Sequence, residues 1–376
     1  MFYPAHINLQ NRKCLVVGGG TVAERKVVAM LISGGEVTVV SPDATELLVF
    51  LADIGTIQWH KRQFKTGDTK GYFLVCAATD FTTINTAVYV EAHEKNKIRL
   101  VNVVDVIPQC TFAAASVVTD GELMISISTS GKSPATSRRI REHFEDTLKT
   151  SSLYTLGYEN GKPVPIENQG LPYPVYLLLD NRKCVVLCEQ ETSEIKRRVS
   201  LLQRCGATVV YNPTDFEDTF LVISDASIRD TSDTFLQESL DRPNSVDFFT
   251  PNLIIDDNLI ISISSKNGAD ISKAKHLHER LTHQFENNGY GAFIDLLGAR
   301  RAEVLKTFPT SKMRGDFFET LIGHVADSPQ SQTCCLSLAN PECSAECLFN
   351  WVRQGKIRHA NDFISEFLSI QRANLK

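Results

Sequence analysis

The hydrophobic positions in the first part of the chain form short apolar runs that alternate with stretches of helical spacing. The runs predict buried strands and the stretches between them predict helices. In chain order these are a strand at Cys14–Val17, a helix at Val22–Leu31, a strand at Val37–Val40, an apolar run at Phe73–Ala78, a helix at Ile84–Glu94 and a strand at Leu100–Val104. Such alternation favours a parallel sheet covered on both faces. Ligands of such sheets bind at the carboxyl ends of the strands, where Gly18, Thr79 and Asp105 follow.

A glycine-containing turn joins the first strand to the first helix. Gly18, Gly20 and Ala23 occupy the positions of a G-x-G-x-x-G/A fingerprint. The first glycine permits the tight turn, the second lets the backbone approach a pyrophosphate, and the small third residue lets helix and strand pack closely. We therefore predict a dinucleotide site formed by Gly18, Gly19, Gly20, Thr21, Val22 and Ala23.

The tip of the second strand bears on which dinucleotide is bound. A typical NAD fingerprint has an acid there for the ribose hydroxyl, whereas this strand is followed by Ser41-Pro42-Asp43. Either Ser41 or Asp43 is then the ribose contact. Because no basic residue stands at this tip, we predict NAD rather than NADP. Thr79 and Asp80, after the third apolar run, complete the predicted cofactor site.

A second glycine-containing turn, Thr129–Pro134, follows an alternating strand at Leu123–Ser128. Basic residues then begin a helix, and cations beside such a turn are suited to binding carboxylates. The alternative interpretation is an amphipathic helix whose basic face is simply solvated. The residues that we assign to substrate binding are Ser128, Lys132, Ser133, Arg138 and Arg141.

The second half of the chain repeats the order of the first. The matching segments are Tyr173-Pro174 with Tyr3-Pro4, Asn181–Val186 with Asn11–Val16, Leu201–Pro213 with Met30–Pro42, and Leu259–Ser264 with Leu123–Ser128. An internal duplication of the whole unit explains all four.

The second copy lacks the chemistry of the first. Cys188, Glu189 and Gln190 stand where the first copy has its three glycines, and Lys266–Asp270 replaces the Ser-Gly-Lys-Ser-Pro turn. Side chains at the glycine positions block close backbone approach, and the carboxylate of Glu189 repels a pyrophosphate. We predict that the second copy folds but does not bind a dinucleotide.

Composition bounds the class of protein. A chain of 376 residues with 43% hydrophobic and 22% charged residues is typical of soluble globular proteins and long enough for two or three domains. The net charge of -5, without a basic run, argues against nucleic-acid binding. No apolar run approaches the length of a membrane span, and the N-terminus lacks a signal-peptide pattern. We therefore expect a cytoplasmic protein with no nucleic-acid or membrane partner.

The C-terminal part contains helical spacing at Phe293–Val304 and Phe317–Ile322, and an amphipathic stretch at Asp362–Ile370. Four of the ten cysteines, Cys334, Cys335, Cys343 and Cys347, cluster between the second and third of these stretches. Their spacing matches no diagnostic zinc or iron–sulfur pattern. They are reduced thiols or, alternatively, a metal or redox site, and we assign no metal ligands.

Taken together, these motifs resemble the family of precorrin-2 dehydrogenase / sirohydrochlorin ferrochelatase, the NAD-dependent module of siroheme synthase. The resemblance rests on Val16–Lys26, Ala77–Asp80, Asn102–Asp105, and Ile127–Pro134 with the arginines that follow. It implies an α/β fold with a Rossmann-like parallel sheet, here duplicated, with α+β dimerisation regions and a C-terminal helical segment.

The resemblance also implies an activity. Family members oxidise precorrin-2 to sirohydrochlorin with NAD, and many then insert ferrous iron, as a substrate, to give siroheme. Asp105 matches the family's essential aspartate, which has a general acid–base role, and Asn102 would position the substrate or that aspartate. The alternative for Asp105 is a cap at a strand end. Because the tetrapyrrole is an octacarboxylate, the basic residues after Ser128 would bind its carboxylates.

The implied division of the chain is an NAD-binding Rossmann domain (1–113), a dimerisation-type region (114–150), a linker (151–172), a degenerate Rossmann-like domain (173–250), a second dimerisation-type region with the helical segment (251–325) and a cysteine-containing tail (326–376). Family members are homodimers, so we expect a single-chain pseudo-dimer or, alternatively, a homodimer. Two other functions stay open: a dehydrogenase that feeds a separate chelatase, and a non-catalytic dinucleotide-sensing or scaffold protein.

Overall fold

The computed structural model describes residues 1–104, 106–120, 123–148, 151–152, 156–225, 235–241, 246–265, 271–323 and 346–373. In the first half the elements are β1 (Tyr3–Ile7), β2 (Lys13–Val17), α1 (Thr21–Ile32), β3 (Glu36–Val40), α2 (Glu46–Asp53), β4 (Gln58–His60), β5 (Leu74–Ala77), α3 (Thr82–Tyr89), β6 (Leu100–Val103), β7 (Phe112–Ala114), β8 (Ser116–Asp120), β9 (Leu123–Ser128), α4 (Pro134–Leu148), β10 (Ser151–Ser152), β11 (Tyr158–Glu159) and β12 (Lys162–Pro163). In the second half they are β13 (Tyr173–Leu177), β14 (Lys183–Leu187), α5 (Ser193–Arg204), β15 (Thr208–Tyr211), β16 (Thr219–Ser224), β17 (Leu236–Ser239), β18 (Phe248–Phe249), β19 (Asn252–Asp256), β20 (Leu259–Ser265), α6 (Ile271–Phe285), α7 (Tyr290–Thr307), α8 (Ser311–Gly323), α9 (Leu348–Arg353) and α10 (Ile357–Ala373).

The elements predicted from the hydrophobic pattern are present, with ends shifted by a few residues. The helix expected at Ile84–Glu94 is α3 followed by a π-helical turn at Val90–Lys95. The two helical spacings near the C-terminus lie within α7 and α8, and the amphipathic stretch lies within the longer α10. Among the described residues, no helix combines the length and apolar character that crossing a bilayer needs.

The chain divides into two compact units. The first contains residues 1–124, 151–251 and 264–271, and the second contains residues 125–150, 252–263 and 272–376.

Five parallel strands form a sheet in the first unit, in the order β4-β3-β2-β5-β6. Apart from β4, its strands are mainly apolar and buried, and Leu15, Val75 and Val101 pack in one buried cluster. Burial on both faces explains this composition. Strand order reverses between β2 and β5, so the crevice that binds ligands in such sheets opens at the end of β2.

A second parallel sheet in the same unit repeats the first, in the order β15-β14-β16-β17. β14, β15, β16 and β17 correspond to β2, β3, β5 and β6. Helix α5 corresponds to α1, and each has 12 residues. The structure thus repeats the supersecondary unit that the sequence repeats.

An antiparallel sheet, β18-β1-β13-β7, brings the two copies together within the first unit. β1 pairs with β13 so that Tyr3 faces Leu177 and Ile7 faces Tyr173, with Ala5 opposite Val175 at the centre. Since Tyr3 and Tyr173 are equivalent in the repeat, each strand presents the same surface to the other. This is the pattern of a two-fold contact, formed here inside one chain.

The second unit contains β9, β20 and β19 side by side, with β19 and β20 antiparallel. The hydroxyls of Ser126 in β9 and Ser262 in β20 lie 2.5 Å apart, and these serines are also equivalent in the repeat. Ring contacts among Phe144, Phe285, Tyr290 and Phe349 pack helices α4, α6, α7 and α9 together.

The segment expected as a linker contains the hairpin β11–β12. The hydroxyl of Tyr158 donates to the Glu24 carboxylate of α1 at 3.2 Å. Gly157 lies against Leu47 of α2, so closely that a Cβ would be 2.4 Å from a methyl carbon. The hairpin therefore packs on the helices that follow β2 and β3.

Candidate active site

The turn after β2 requires glycine at two consecutive positions. Gly18 has φ +122°, and a Cβ there would lie 2.3 Å from the carbonyl oxygen of Ala78. A Cβ on Gly19 would lie 2.0 Å from the carbonyl oxygen of Asp43. Side chains at either position would collide with backbone, so the backbone itself forms the floor of the turn. Gly20 differs, because no atom lies within 4 Å of its Cβ position.

The open side of Gly20 is the N-terminus of α1. Gly20 is the N-cap and provides no side-chain hydrogen bond to the first turn. Thr21 and Val22 are exposed, while Ala23 is buried where the helix packs on the sheet. Exposed amides at a helix start, with a positive helix end and no side chain in front, are suited to a phosphate group. The cradle therefore fits the pyrophosphate of a dinucleotide.

The remaining predicted cofactor residues surround this turn. Ser41 is buried, its hydroxyl lies 2.9 Å from the Cβ position of Gly19, and its carbonyl accepts a hydrogen bond from the Trp59 indole at 3.0 Å. Thr79 donates through its hydroxyl to the Asn85 side-chain oxygen at 2.7 Å, which fixes the loop after β5. Asp80 beside it is exposed.

Asn102 lies in β6, is 7% exposed and is held from two sides. Its amide nitrogen donates to the Phe112 carbonyl at 2.9 Å, and its oxygen accepts from the Lys26 ammonium of α1 at 2.7 Å. The first bond fixes the orientation of the amide, so the oxygen must face Lys26. Asp105, the predicted acid–base residue, lies outside the described residues.

The predicted substrate-binding turn lies in the second unit. Ser130 and Gly131 both have positive φ, +50° and +73°. The Ser128 hydroxyl accepts from the Ser130 amide at 3.1 Å, and the Ser133 hydroxyl bonds that of Thr136 at 2.8 Å. These serines therefore shape the turn and the start of α4.

The predicted substrate-binding cations are paired within the chain. Lys132 bonds Asp295 of α7 at 2.6 Å, with both side chains more than 40% exposed. Arg138 bonds Glu142 at 2.9 Å and lies 3.6 Å from Glu319 of α8. The third ion pair joins Arg141 to Glu145 at 2.5 Å. A substrate carboxylate must therefore displace or join a carboxylate of the protein.

The structure adds site residues that the sequence did not assign. Arg301 of α7 donates to the Gly131 carbonyl, and Asn258 bonds Asp295 at 2.7 Å. Both belong to the second half of the chain: Arg301 contacts the turn of the first copy directly, and Asn258 holds the Asp295 carboxylate that pairs with Lys132. No local pattern could identify them, because the contacts join residues far apart in sequence.

The equivalent turn of the second copy uses its amides internally. The Cys188 amide donates to Asn212 at 3.1 Å, and the Glu189 amide donates to Asp225 at 3.3 Å. Helix α5 has a side-chain N-cap, since Thr192 accepts from the Ile195 amide at 3.2 Å. These bonds take up donors that an anion would need. Lys266–Asp270, the predicted counterpart of the Ser-Gly-Lys turn, lies outside the described residues.

Burial sets the protonation state of two cysteines in the parallel sheets. Burial raises the pKa of Cys76 to about 11 and that of Cys184 to about 12, so both are protonated thiols near neutral pH. Cys347 is buried, whereas Cys334, Cys335 and Cys343 lie outside the described residues. Within the part of the chain that the structure describes, no three His, Cys, Asp or Glu residues converge as a metal site.

Comparison with known proteins gives two family matches in the first half. Residues 5–116 match a family of NAD(P)-binding domains, and residues 120–147 match the central domain of sirohaem biosynthesis proteins. Siroheme synthase 1 of Pectobacterium atrosepticum is 38% identical over 150 residues, covering 40% of this chain and 31% of that protein. The siroheme synthase of Photorhabdus laumondii is 38% identical over 161 residues, covering 43% and 34%.

The chain thus matches about a third of the length of these curated relatives. A solved structure of SirC, a precorrin-2 dehydrogenase, is 28% identical, with a TM-score of 0.34 and coverage of 37% of this chain and 68% of that one.

Proposed function

We propose that this chain, whose residues 5–147 belong to the siroheme synthase family, is an NAD-dependent dehydrogenase that oxidises precorrin-2 to sirohydrochlorin. The observation that carries the proposal is the cradle at Gly18, Gly19 and Gly20, where the backbone excludes side chains and α1 presents an uncapped N-terminus. NAD, when bound there, supplies the hydride acceptor.

The residues of the first copy would divide the work as follows. Gly18–Ala23 hold the pyrophosphate, and Ser41, Thr79 and Asp80 border the rest of the dinucleotide. Asp105 takes the proton that must leave the macrocycle when hydride is removed, since loss of hydride alone would leave a cation. Asn102, fixed by the Phe112 carbonyl, positions the strand end that leads to Asp105.

The substrate's carboxylates would bind in the second unit. Ser128 and Ser133 shape the turn, and Lys132, Arg138 and Arg141 supply the charge. Lys132 is the leading contact, because its pair with Asp295 is largely exposed and exchangeable with another carboxylate.

We further propose one working site per chain and a single-chain pseudo-dimer. The pairing of equivalent residues across β1 and β13 supports it, as do the occupied amides of Cys188 and Glu189. The domain roles follow: residues 1–113 bind NAD, 173–250 form the non-binding partner, and 114–150 with 251–325 form the dimerisation-type contact inside the chain. We place the protein in the cytoplasm, where NAD is available.

The test is an anaerobic incubation of the purified chain with precorrin-2 and NAD, followed by absorbance. We expect conversion to sirohydrochlorin that requires NAD and is lost in Asp105→Ala. Ferrous iron is added only after the first spectral change, so iron insertion is measured separately against a no-enzyme control. NAD binding without conversion would instead favour the sensing or scaffold function.

Stoichiometry and mass test the second part. Isothermal titration should give one NAD per chain, and Glu189→Gln, in the second copy, should leave that number unchanged. Sedimentation should give the mass of one chain. Two NAD per chain, or a mass of two chains, would contradict the pseudo-dimer.

A further inference from the structure

The duplication provides an internal comparison for Lys26. Lys26 is the sixth residue of α1, and Arg198 is the sixth residue of α5. Their partners also match, because Asn102 is the third residue of β6 and Glu238 the third of β17. Each copy therefore ties its first helix to the last strand of its parallel sheet through a cation at the same place.

In the second copy, two carboxylates pair with this cation. The Arg198 guanidinium lies 3.2 Å from Glu238 and 2.7 Å from Glu194, the second residue of α5. Thr250 completes the enclosure, since its amide donates to Glu238 at 2.7 Å and its carbonyl accepts from Arg198 at 3.4 Å. The side chains of Arg198 and Glu238 are only 7% and 2% exposed, so this is a closed, buried ion pair.

In the first copy both carboxylates are absent. By position in the helix Val22 is the counterpart of Glu194, and by position in the strand Asn102 is the counterpart of Glu238. The ammonium of Lys26 bonds only a neutral amide oxygen, and among the described residues it has no carboxylate within ion-pair distance. Lys26 is half-buried rather than enclosed. Within the part of the chain that the structure describes, a positive charge that is compensated in the second copy has no carboxylate partner in the first.

The two copies differ in the pairing of this cation in the same way as they differ in the turn after the first strand. The copy with the open glycine cradle keeps the charge, and the copy whose turn is bonded internally neutralises it. We propose that Lys26 is a residue whose charge is left unpaired for the anionic groups of the first copy's ligands, the phosphates of the dinucleotide or the carboxylates of the substrate. This inference rests on the proposed function.

Charge and shape are separated by three variants. Lys26→Gln keeps a hydrogen-bond donor toward Asn102 but removes the charge, whereas Lys26→Arg keeps the charge. Lys26→Arg/Asn102→Glu transplants the ion pair of the second copy into the first. A matched control, Arg198→Met/Glu238→Gln, removes the corresponding charges from the second copy.

The readouts are the Kd of NAD at several salt concentrations, the KM of precorrin-2, and the thermal unfolding temperature. We expect Lys26→Gln and the transplanted pair to weaken the binding of one anionic ligand, either NAD or precorrin-2, roughly tenfold. The binding of that ligand should also depend less on salt concentration. Lys26→Arg should bind as the wild type does, and so should the control. A change in the Kd of NAD identifies the phosphates as the ligand group, and a change confined to KM identifies the carboxylates.

Two results would overturn the inference. If Lys26→Gln lowers the unfolding temperature but leaves both ligands bound as in the wild type, the residue is structural only. If the transplanted pair binds NAD and precorrin-2 normally, charge compensation does not matter at this position. Failure of the wild type to bind NAD is a different outcome, because it rejects the proposed function and this inference together.

Discussion

The same added methyl group should lower stability at Gly18 and weaken NAD binding at Gly20. At Gly18, alanine must adopt φ near +122° and place its Cβ 2.3 Å from the Ala78 carbonyl oxygen. Backbone strain of this kind costs about 1–3 kcal/mol, and overpacking costs about as much again. At Gly20, φ is -81° and the Cβ position is empty. The free energy of unfolding should therefore fall by about 2–6 kcal/mol in Gly18→Ala. In Gly20→Ala it should change by no more than about 1 kcal/mol, because alanine is a poorer N-cap than glycine but also lowers the entropy of the unfolded chain.

Ligand binding should separate the two variants further. The added methyl group of Gly20→Ala occupies the space that the pyrophosphate of the dinucleotide needs beside Gly20. The Kd of NAD should therefore rise at least tenfold, which corresponds to about 1.4 kcal/mol. Urea unfolding followed by fluorescence measures the free energy of unfolding, and isothermal titration measures the Kd of NAD. Gly55→Ala is an unsuitable control because of its positive φ. Gly315→Ala, inside α8 with no atom within 4 Å of its Cβ position, should leave the Kd of NAD unchanged and raise the free energy of unfolding by up to about 1 kcal/mol.

The reasoning fails in two recognisable ways. A Gly20→Ala protein that is fully stable and binds NAD with the wild-type Kd would show that the pyrophosphate does not approach this glycine. A Gly18→Ala protein with wild-type stability would show that the turn can relax around Ala78, so that steric exclusion does not define the cradle.

Three further predictions concern charged groups. Asp295→Asn should lower the KM of precorrin-2 a few-fold in steady-state kinetics, because Lys132 loses its competing carboxylate; an unchanged or higher KM would contradict this. Glu238→Gln should lower the free energy of unfolding by up to about 3–5 kcal/mol in urea, since Arg198 loses its buried charge partner and keeps only Glu194, which is 42% exposed; a loss below about 1 kcal/mol would refute it. Burial lowers the pKa of His6 to about 3. As the pH falls, His6 is therefore protonated in the unfolded chain before it is protonated in the folded protein. The free energy of unfolding should decline by at most about 1.4 kcal/mol per pH unit between pH 6.5 and pH 3. Urea titrations at pH 7 and pH 5 should show a smaller decline in His6→Gln, and equal declines would count against the assignment.

Local pattern was sufficient for β2, β3, β5 and β6 and for the glycine turn, but not for β4, whose three residues are not an apolar run. Apolar runs identify strands that are buried on both faces, and Gly18 follows such a run with a helix directly behind it. The hairpin within the expected linker was not predicted, because two-residue strands around Asn160-Gly161 carry no hydrophobic alternation.

Contacts between distant residues were beyond sequence reasoning. The sequence identified Lys132 and Arg138 as available cations, but not that Asp295 and Glu319 from the second copy pair with them. Lys26 was part of a recognised motif without an assigned partner. The structure is needed to identify Lys26 as the counterpart of Arg198, because the two residues share a position in α1 and α5.

The antiparallel contact between β1 and β13 has a consequence for how such a protein can change. In a homodimer, a substitution on the two-fold axis alters both sides at once, so an asymmetric pair is inaccessible there. Here the centre of the contact already differs, with Ala5 opposite Val175. Joining the partners in one chain also makes their encounter intramolecular, so dilution cannot separate them. Each side is then free to vary alone, and one can lose its own chemistry while continuing to support the other.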